Sequence, residues 1–138
     1  MGPGNLLRGG FLLCAAVALG TSALGTSALA QERSPGAPHA VAVMQGLDKV
    51  TARISTFRLE LDEPHAFGSL RLVLRACWET PPEEPPEAAA FLEIHETDPD
   101  SPERRIFNGW MFASSPAINP LEHGVYDVWV MECEEPLE

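Results

Sequence analysis

From Ala40 onward, apolar and polar residues alternate in short runs, and a period of two predicts β-strands. Thr51–Leu61 puts Phe57, Leu59 and Leu61 on one parity and Ile54 off it, which predicts a bulge or bend in that strand. In Ser69–Trp78, Leu70, Leu72, Leu74, Ala76 and Trp78 share one face, and Arg71, Val73, Arg75 and Cys77 share the other. Ala88–Glu96 turns Ala90, Leu92 and Ile94 inward. Arg105–Ala113 places Ile106, Trp110 and Phe112 on a common face. In Val125–Cys133, Asp127, Trp129, Met131 and Cys133 alternate with Tyr126, Val128 and Val130. Both faces of this last run are largely apolar, as in a central strand covered on both sides or an exposed patch used for binding.

The breaks between these runs carry turn chemistry. Glu63–Gly68 and Asp98–Pro102 read as turns, and Ser114–Asn119 as a loop followed by one helical turn over Pro120–His123. Pro81–Glu87 holds four prolines, which fix φ and remove amide donors, so it reads as an exposed acidic loop that folding does not need. No apolar face repeats at helical spacing over three turns. The expected fold is all-β: one small β-sandwich or partly open barrel of about six to eight mostly antiparallel strands. The compact domain is expected over 44–134, with an acidic tail at 135–138.

The N-terminal part departs from this pattern. Arg8 is its one charged residue, an apolar run covers Phe11–Leu19, and small residues lead to Ala28-Leu29-Ala30. These are the three parts of a secretory signal, so 1–30 is expected to be removed and Gln31 to begin the mature chain, with 31–43 a flexible Pro/Gly-containing leader. The apolar run is about half of the roughly 20 residues that a membrane span needs, so no stable membrane insertion is expected after cleavage. An uncleaved anchor or a lipid acceptor at Cys14 is the competing reading. Arg exceeds Lys, and Ala, Gly and Pro are plentiful, a hint of a GC-rich bacterial genome and thus of a periplasmic location.

The 138 residues carry a formal charge of −11, and losing Arg8 with the signal makes it −12. Such a surface repels nucleic acid and anionic lipid. A hydrophobic fraction of 45% excludes wholesale disorder. After cleavage two cysteines remain, Cys77 and Cys133, an even number in an oxidising compartment, which favours a disulfide. Two buried thiols or a redox pair are the other readings, although no Cys-x-x-Cys occurs.

Candidate chemistry is sparse. Ser114, Ser115, His123 and Asp127 supply hydroxyl, imidazole and carboxylate, the parts of an acyl-transfer site, but without a G-x-S-x-G elbow. His39, His65, His95 and His123 are far apart in sequence, and no H-x-H or H-E-x-x-H occurs, so neither metal nor cofactor is expected. Paired glutamates at Glu83/Glu84 and Glu134/Glu135 read as solvated charge. The large side chains Trp78, Trp110, Phe112, Tyr126 and Trp129 are either packing of a small β-domain or an aromatic platform. The candidate binding surface is Trp110, Phe112, His123, Tyr126, Asp127 and Trp129.

The segment Phe107–Cys133 (FNGWMFASSPAINPLEHGVYDVWVMEC) resembles an exported proteobacterial family, domain of unknown function 2155. Leu47-Asp48-Lys49-Val50-Thr51, Phe67-Gly68-Ser69-Leu70, Ala76-Cys77, Pro85-Pro86 and Ala90-Phe91-Leu92-Glu93-Ile94 stand upstream in the family's order. Gly124 departs from the Pro expected after Glu-His. The resemblance implies export and one compact domain carrying the Cys77/Cys133 pair, and it transfers no catalytic residue. The expected function is a non-enzymatic envelope protein that binds an envelope protein or polymer. A hydrolase using Ser115, His123 and Asp127, or a carbohydrate-binding module, is the alternative.

Overall fold

The computed structural model describes residues 36–135; the expected signal and cleavage site, Cys14 and the end of the tail lie outside them. Eight strands make two sheets that face each other. They are β1 (Ala37–His39), β2 (Val41–Asp48), β3 (Arg53–Glu60), β4 (Pro64–Phe67), β5 (Leu70–Glu79), β6 (Ala88–Asp98), β7 (Ser101–Phe112) and β8 (Tyr126–Glu134). The larger sheet runs β1-β5-β6-β7, with β4 also on β5, and the smaller runs β3-β2-β8. The ladders are antiparallel, and neither sheet closes into a barrel. No helix long and apolar enough to cross a membrane occurs among the described residues.

Local chemistry sets the hairpins. Asp48 Oδ1 accepts from the amides of Val50 and Thr51 at 2.9 and 3.1 Å and turns β2 into β3. Asp98 Oδ1 accepts from the Asp100 amide at 2.9 Å between β6 and β7. Gly68, at φ 58°, turns β4 into β5. The chain changes sheets at Ala40 and again at Leu61–Glu63, where Asp62 adopts φ 61° and its amide donates to the Leu74 carbonyl. The paired strands begin at Ala37 and the buried positions at Val41, inside the stretch read from sequence as leader.

The core lies between the sheets and contains Leu70, Leu72, Leu74, Ala90, Leu92, Ile94, Met44, Leu59 and Val130 among its buried residues. The Ala90/Leu92/Ile94 face of β6 is the expected one. Three other faces differ, each for a reason visible in the register. β5 bulges between Leu74 and Ala76, so Arg75 is the extra residue; Cys77 joins the Leu70/Leu72/Leu74 face and Trp78 turns outward. β8 bulges opposite Val43/Met44, so Cys133 joins Val128 and Val130 while Met131 is exposed. In β7 the ladder bulges opposite Ile94/His95, so Ile106, Phe107 and Met111 pack on the core while Trp110 and Phe112 lie on the other face, apart from the Ile106 expected beside them.

The same two bulges explain the disulfide. Cys77 and Cys133 are bonded, with Cα atoms 5.8 Å apart, and are 1% and 4% exposed. The bond crosses the core from β5 to β8 and ties sheet to sheet, whereas sequence parity places it beside the core. Smaller expectations also change: Pro64–Phe67, inside the stretch expected to be a turn, is strand β4. The β2/β3 register is unbroken, so Ile54 marks no bulge and is simply an exposed outer-face residue. Pro120–His123 is not helical, and β8 is an edge strand rather than a central one.

Candidate functional site

Ser114, Ser115, His123 and Asp127 do not converge. Ser114 donates through its amide to Glu87 Oε1 at 3.0 Å, and its hydroxyl also donates to the Glu87 carboxylate. The Ser115 hydroxyl lies 3.4 Å from that of Ser114 and its amide donates to the Phe112 carbonyl. Asp127 accepts from Lys49 Nζ at 3.0 Å. His123 Nδ1 accepts from the amides of Val125 and Tyr126 at 3.1 and 3.0 Å, so Nε2 carries the proton it shares with Glu96 Oε1 at 3.0 Å. Each group of the would-be triad is thus occupied by a different partner, and neither imidazole nitrogen is free to take a proton from a serine.

These contacts give the 113–125 segment its shape. It leaves β7, is held by Glu87 and by the Ala113 amide on the Ala88 carbonyl, and then places Asn119 Nδ2 on the Trp110 carbonyl at 3.0 Å. Leu121 is 4% exposed and packs into the core, and Lys49 Nζ donates to the His123 carbonyl at 2.5 Å before β8 begins. Gly124 tolerates a side chain: a Cβ there would meet nothing within 4 Å.

Glu87 changes the reading of the proline loop. Pro82, Glu83, Pro85 and Pro86 are exposed, but Glu87 is half-buried and bonds the amides of Ala88 and Ser114. Glu87→Ala is expected to cost about 1–3 kcal/mol, the range for a bonded, part-buried partner removed from its donors. Replacing 82–86 with Gly/Ser while keeping Glu87 should stay within about 0.5 kcal/mol. Urea midpoints of the two variants measure both.

A row of five rings fills the sandwich at the other end. His65 stacks on Phe57 at 4.8 Å, Phe57 on Phe67 at 5.2 Å, Phe67 meets Tyr126 at 5.5 Å, and Tyr126 stacks on His123 at 5.4 Å. Tyr126 and His123 are half-buried within this row of rings. Burial pushes the His65 imidazole below its ordinary 6.5. The Arg104 guanidinium, then His123, hold the Glu96 carboxyl below its usual range; Arg75 does so for Glu93, and the Thr51 amide for Asp48.

All four shifts are downward, so the folded protein binds protons less readily than the unfolded chain. Their stabilisation is complete above the ordinary values and is lost as pH falls, first below 6.5 for His65 and then below the carboxylate range. Melting temperature followed against pH should decline in both steps, and His65→Phe, which keeps the stack, should abolish only the first.

The outer face of the larger sheet is the second feature. The register aligns Trp78, Ala89 and Phe112 in one row and Ala76, Phe91 and Trp110 in the next, opposite to the core face. Phe91 and Trp110 meet edge to face at 5.4 Å, and Trp78 is 38% exposed. The rest of this face is charged: Arg75 pairs with Asp62 at 2.7 Å and Glu93 at 3.3 Å, and Arg71 with Glu103. Trp129 lies elsewhere, on the outer face of the smaller sheet beside Gln45, with Asp127 on the same face beside Leu47. No group of three or more His, Cys, Asp or Glu side chains converges among the described residues.

A family profile described as an uncharacterized protein conserved in bacteria (DUF2155) matches residues 42–133, from the second strand to the disulfide in the last. The chain belongs to this family. The matched span takes in all but one of the strands and the whole latched 113–125 segment. An uncharacterized protein of Rickettsia prowazekii (strain Madrid E) is 26% identical over 87 residues, which cover 63% of this chain and 56% of the relative. The chain thus spans little more than half the length of that relative. No solved structure matches it.

Proposed function

We propose that this DUF2155 chain is an exported, non-enzymatic protein of the bacterial envelope that binds a protein or polymer partner through the outer face of its larger sheet. The observation that carries this reading is the double row of Trp78, Phe91, Trp110 and Phe112 on a face that no second sheet covers among the described residues. Contiguous aromatic surface at a solvent-facing sheet is the common mark of an interaction site. The interplanar angle of 79° between Phe91 and Trp110 favours a shaped contact over the flat platform on which a sugar ring stacks. The hydrolase reading loses its support, because Ser115, His123 and Asp127 are each bound elsewhere.

Export rests on the composition of 1–30 and accords with a disulfide, which persists in oxidising compartments. The chain isolated from the periplasmic fraction is expected to begin at Gln31; Met1, or an acylated Cys14, would overturn this. The binding role is tested by comparing Ser115→Ala with Trp110→Ala in cells. The first should leave the cellular role intact and the second should remove it while the circular dichroism spectrum is unchanged. The reverse pattern would restore the enzyme.

A further inference from the structure

Charge is spread unevenly over the fold. Lys49 stands at the β2–β3 turn, and the arginines stand on β3 (Arg53, Arg58), β5 (Arg71, Arg75) and β7 (Arg104, Arg105). The described residues hold no lysine or arginine over 36–48, 76–103 and 106–135. Those stretches supply the aromatic end of the larger sheet: β1, the close of β5, the proline loop, the start of β6 and the close of β7. Pro38 of β1 pairs with Trp78 and extends that row to Pro38, Trp78, Ala89 and Phe112.

Carboxylates stand where the cations are missing. Glu79, Glu83 and Glu84 make no ion pair among the described residues, whose pairs are formed by other carboxylates. Their loop is held in one shape. The Thr80 amide donates to the Glu87 carbonyl at 2.9 Å, and the Thr80 hydroxyl donates to the Pro85 carbonyl at 3.0 Å. The same hydroxyl accepts from the Glu87 amide at 2.9 Å, and the Glu84 amide closes on the Pro81 carbonyl at 3.0 Å.

One residue on from Trp78, a cleft of about 580 Å³ opens between β1, the end of β5 and this loop. Pro81, Pro82 and Pro86 give it apolar walls, and Glu79 and Glu84 give it two carboxylates beside His39. Apolar wall and carboxylate together match a lysine or arginine side chain, whose stem packs on carbon while its head keeps a charged partner. An anionic polymer is repelled here, and a second copy would bring the same uncompensated carboxylates to the contact. We propose that the segment bound on the aromatic face is a basic stretch of a partner protein, one of whose lysine or arginine side chains enters the cleft and pairs with Glu79 and Glu84. This rests on the aromatic face being the contact surface.

The readout is a photo-crosslink from p-benzoylphenylalanine at Trp110, formed in living cells with the full-length chain. The unaltered cleft should give an adduct whose partner segment, read by mass spectrometry, carries lysine or arginine. Glu79→Gln with Glu84→Gln should lower the adduct yield about tenfold, since two charge-assisted contacts are lost. Glu122→Gln with Glu132→Gln removes the same charge from exposed positions elsewhere and should leave the yield within about twofold. A yield that survives the first pair overturns the proposal and leaves the aromatic face as a contact of other chemistry. No adduct from the unaltered chain overturns both. Equal loss from the two pairs overturns the basic segment, as does an adduct with a second copy or with a non-protein polymer. Arg33 precedes β1 in sequence; a yield that rises with Arg33→Ser means that the chain fills its own cleft, and this too overturns the proposal.

Discussion

Replacing Cys77 and Cys133 together by alanine is expected to lower the unfolding free energy by about 4 kcal/mol, which chain entropy assigns to a crosslink of this span. The bonded residues are 56 apart in sequence, and the bond joins β5 of one sheet to β8 of the other through the core. Natural domains of this size have only about 5–15 kcal/mol in all, so the variant should unfold at much lower urea. Reduction of the wild-type chain under mildly unfolding conditions should reach the same midpoint. A loss below about 1 kcal/mol would mean that packing between the sheets, and not the bond, holds them together.

The second large effect is expected at Gly68. Its φ of 58° is a conformation that costs a side chain about 1 kcal/mol, and a Cβ there would run into the ring of Tyr126. Overpacking of that kind adds about 1–3 kcal/mol, so Gly68→Ala should destabilise by about 3 kcal/mol in thermal or urea unfolding. Adding Tyr126→Leu should recover part of the loss, since the clash is with that ring, although the conformational cost stays. At Gly46 in β2 a Cβ would lie 2.5 Å from the Phe67 ring, so the same row of rings excludes side chains from a strand as well as from the Gly68 turn. A neutral Gly68→Ala would show that the row is loosely packed.

Much of the fold is legible in the sequence because period two is a local signal. The inward face of β6 and the first half of β5 follow directly from alternation. What alternation misreads is the phase beyond a bulge. Leu74 to Cys77 and Val130 to Cys133 are both three residues apart, an odd spacing that puts each cysteine on the wrong face unless a residue is inserted. The signal was present: two cysteines that meet across a sandwich must both face inward, and parity denies this to both. Arg75 and Met131 are the inserted residues.

The candidate site was legible as a motif but not in its meaning. Glu87 and Ser114 are 27 residues apart and no local pattern links them, so the serine reads as chemistry when its work is to fasten a loop. His123 likewise reads as a candidate base, yet its bonds to the amides two and three residues on make it a bracket for the start of β8. Alternation pairs Trp110 with Phe112 on one face, but it adds Ile106 to them, and their face is the outer one because Ile106, Phe107 and Met111 take the core.

The most direct test of the binding reading places a photo-crosslinking amino acid at Trp110 in the full-length chain and irradiates living cells. The same probe is placed in turn at Trp78, at Arg105 on the charged part of the same face, and at Thr56 on the smaller sheet. The account predicts adducts of higher mass from positions 110 and 78 and none from 105 or 56. Adducts at all four positions alike, or at none, would contradict it.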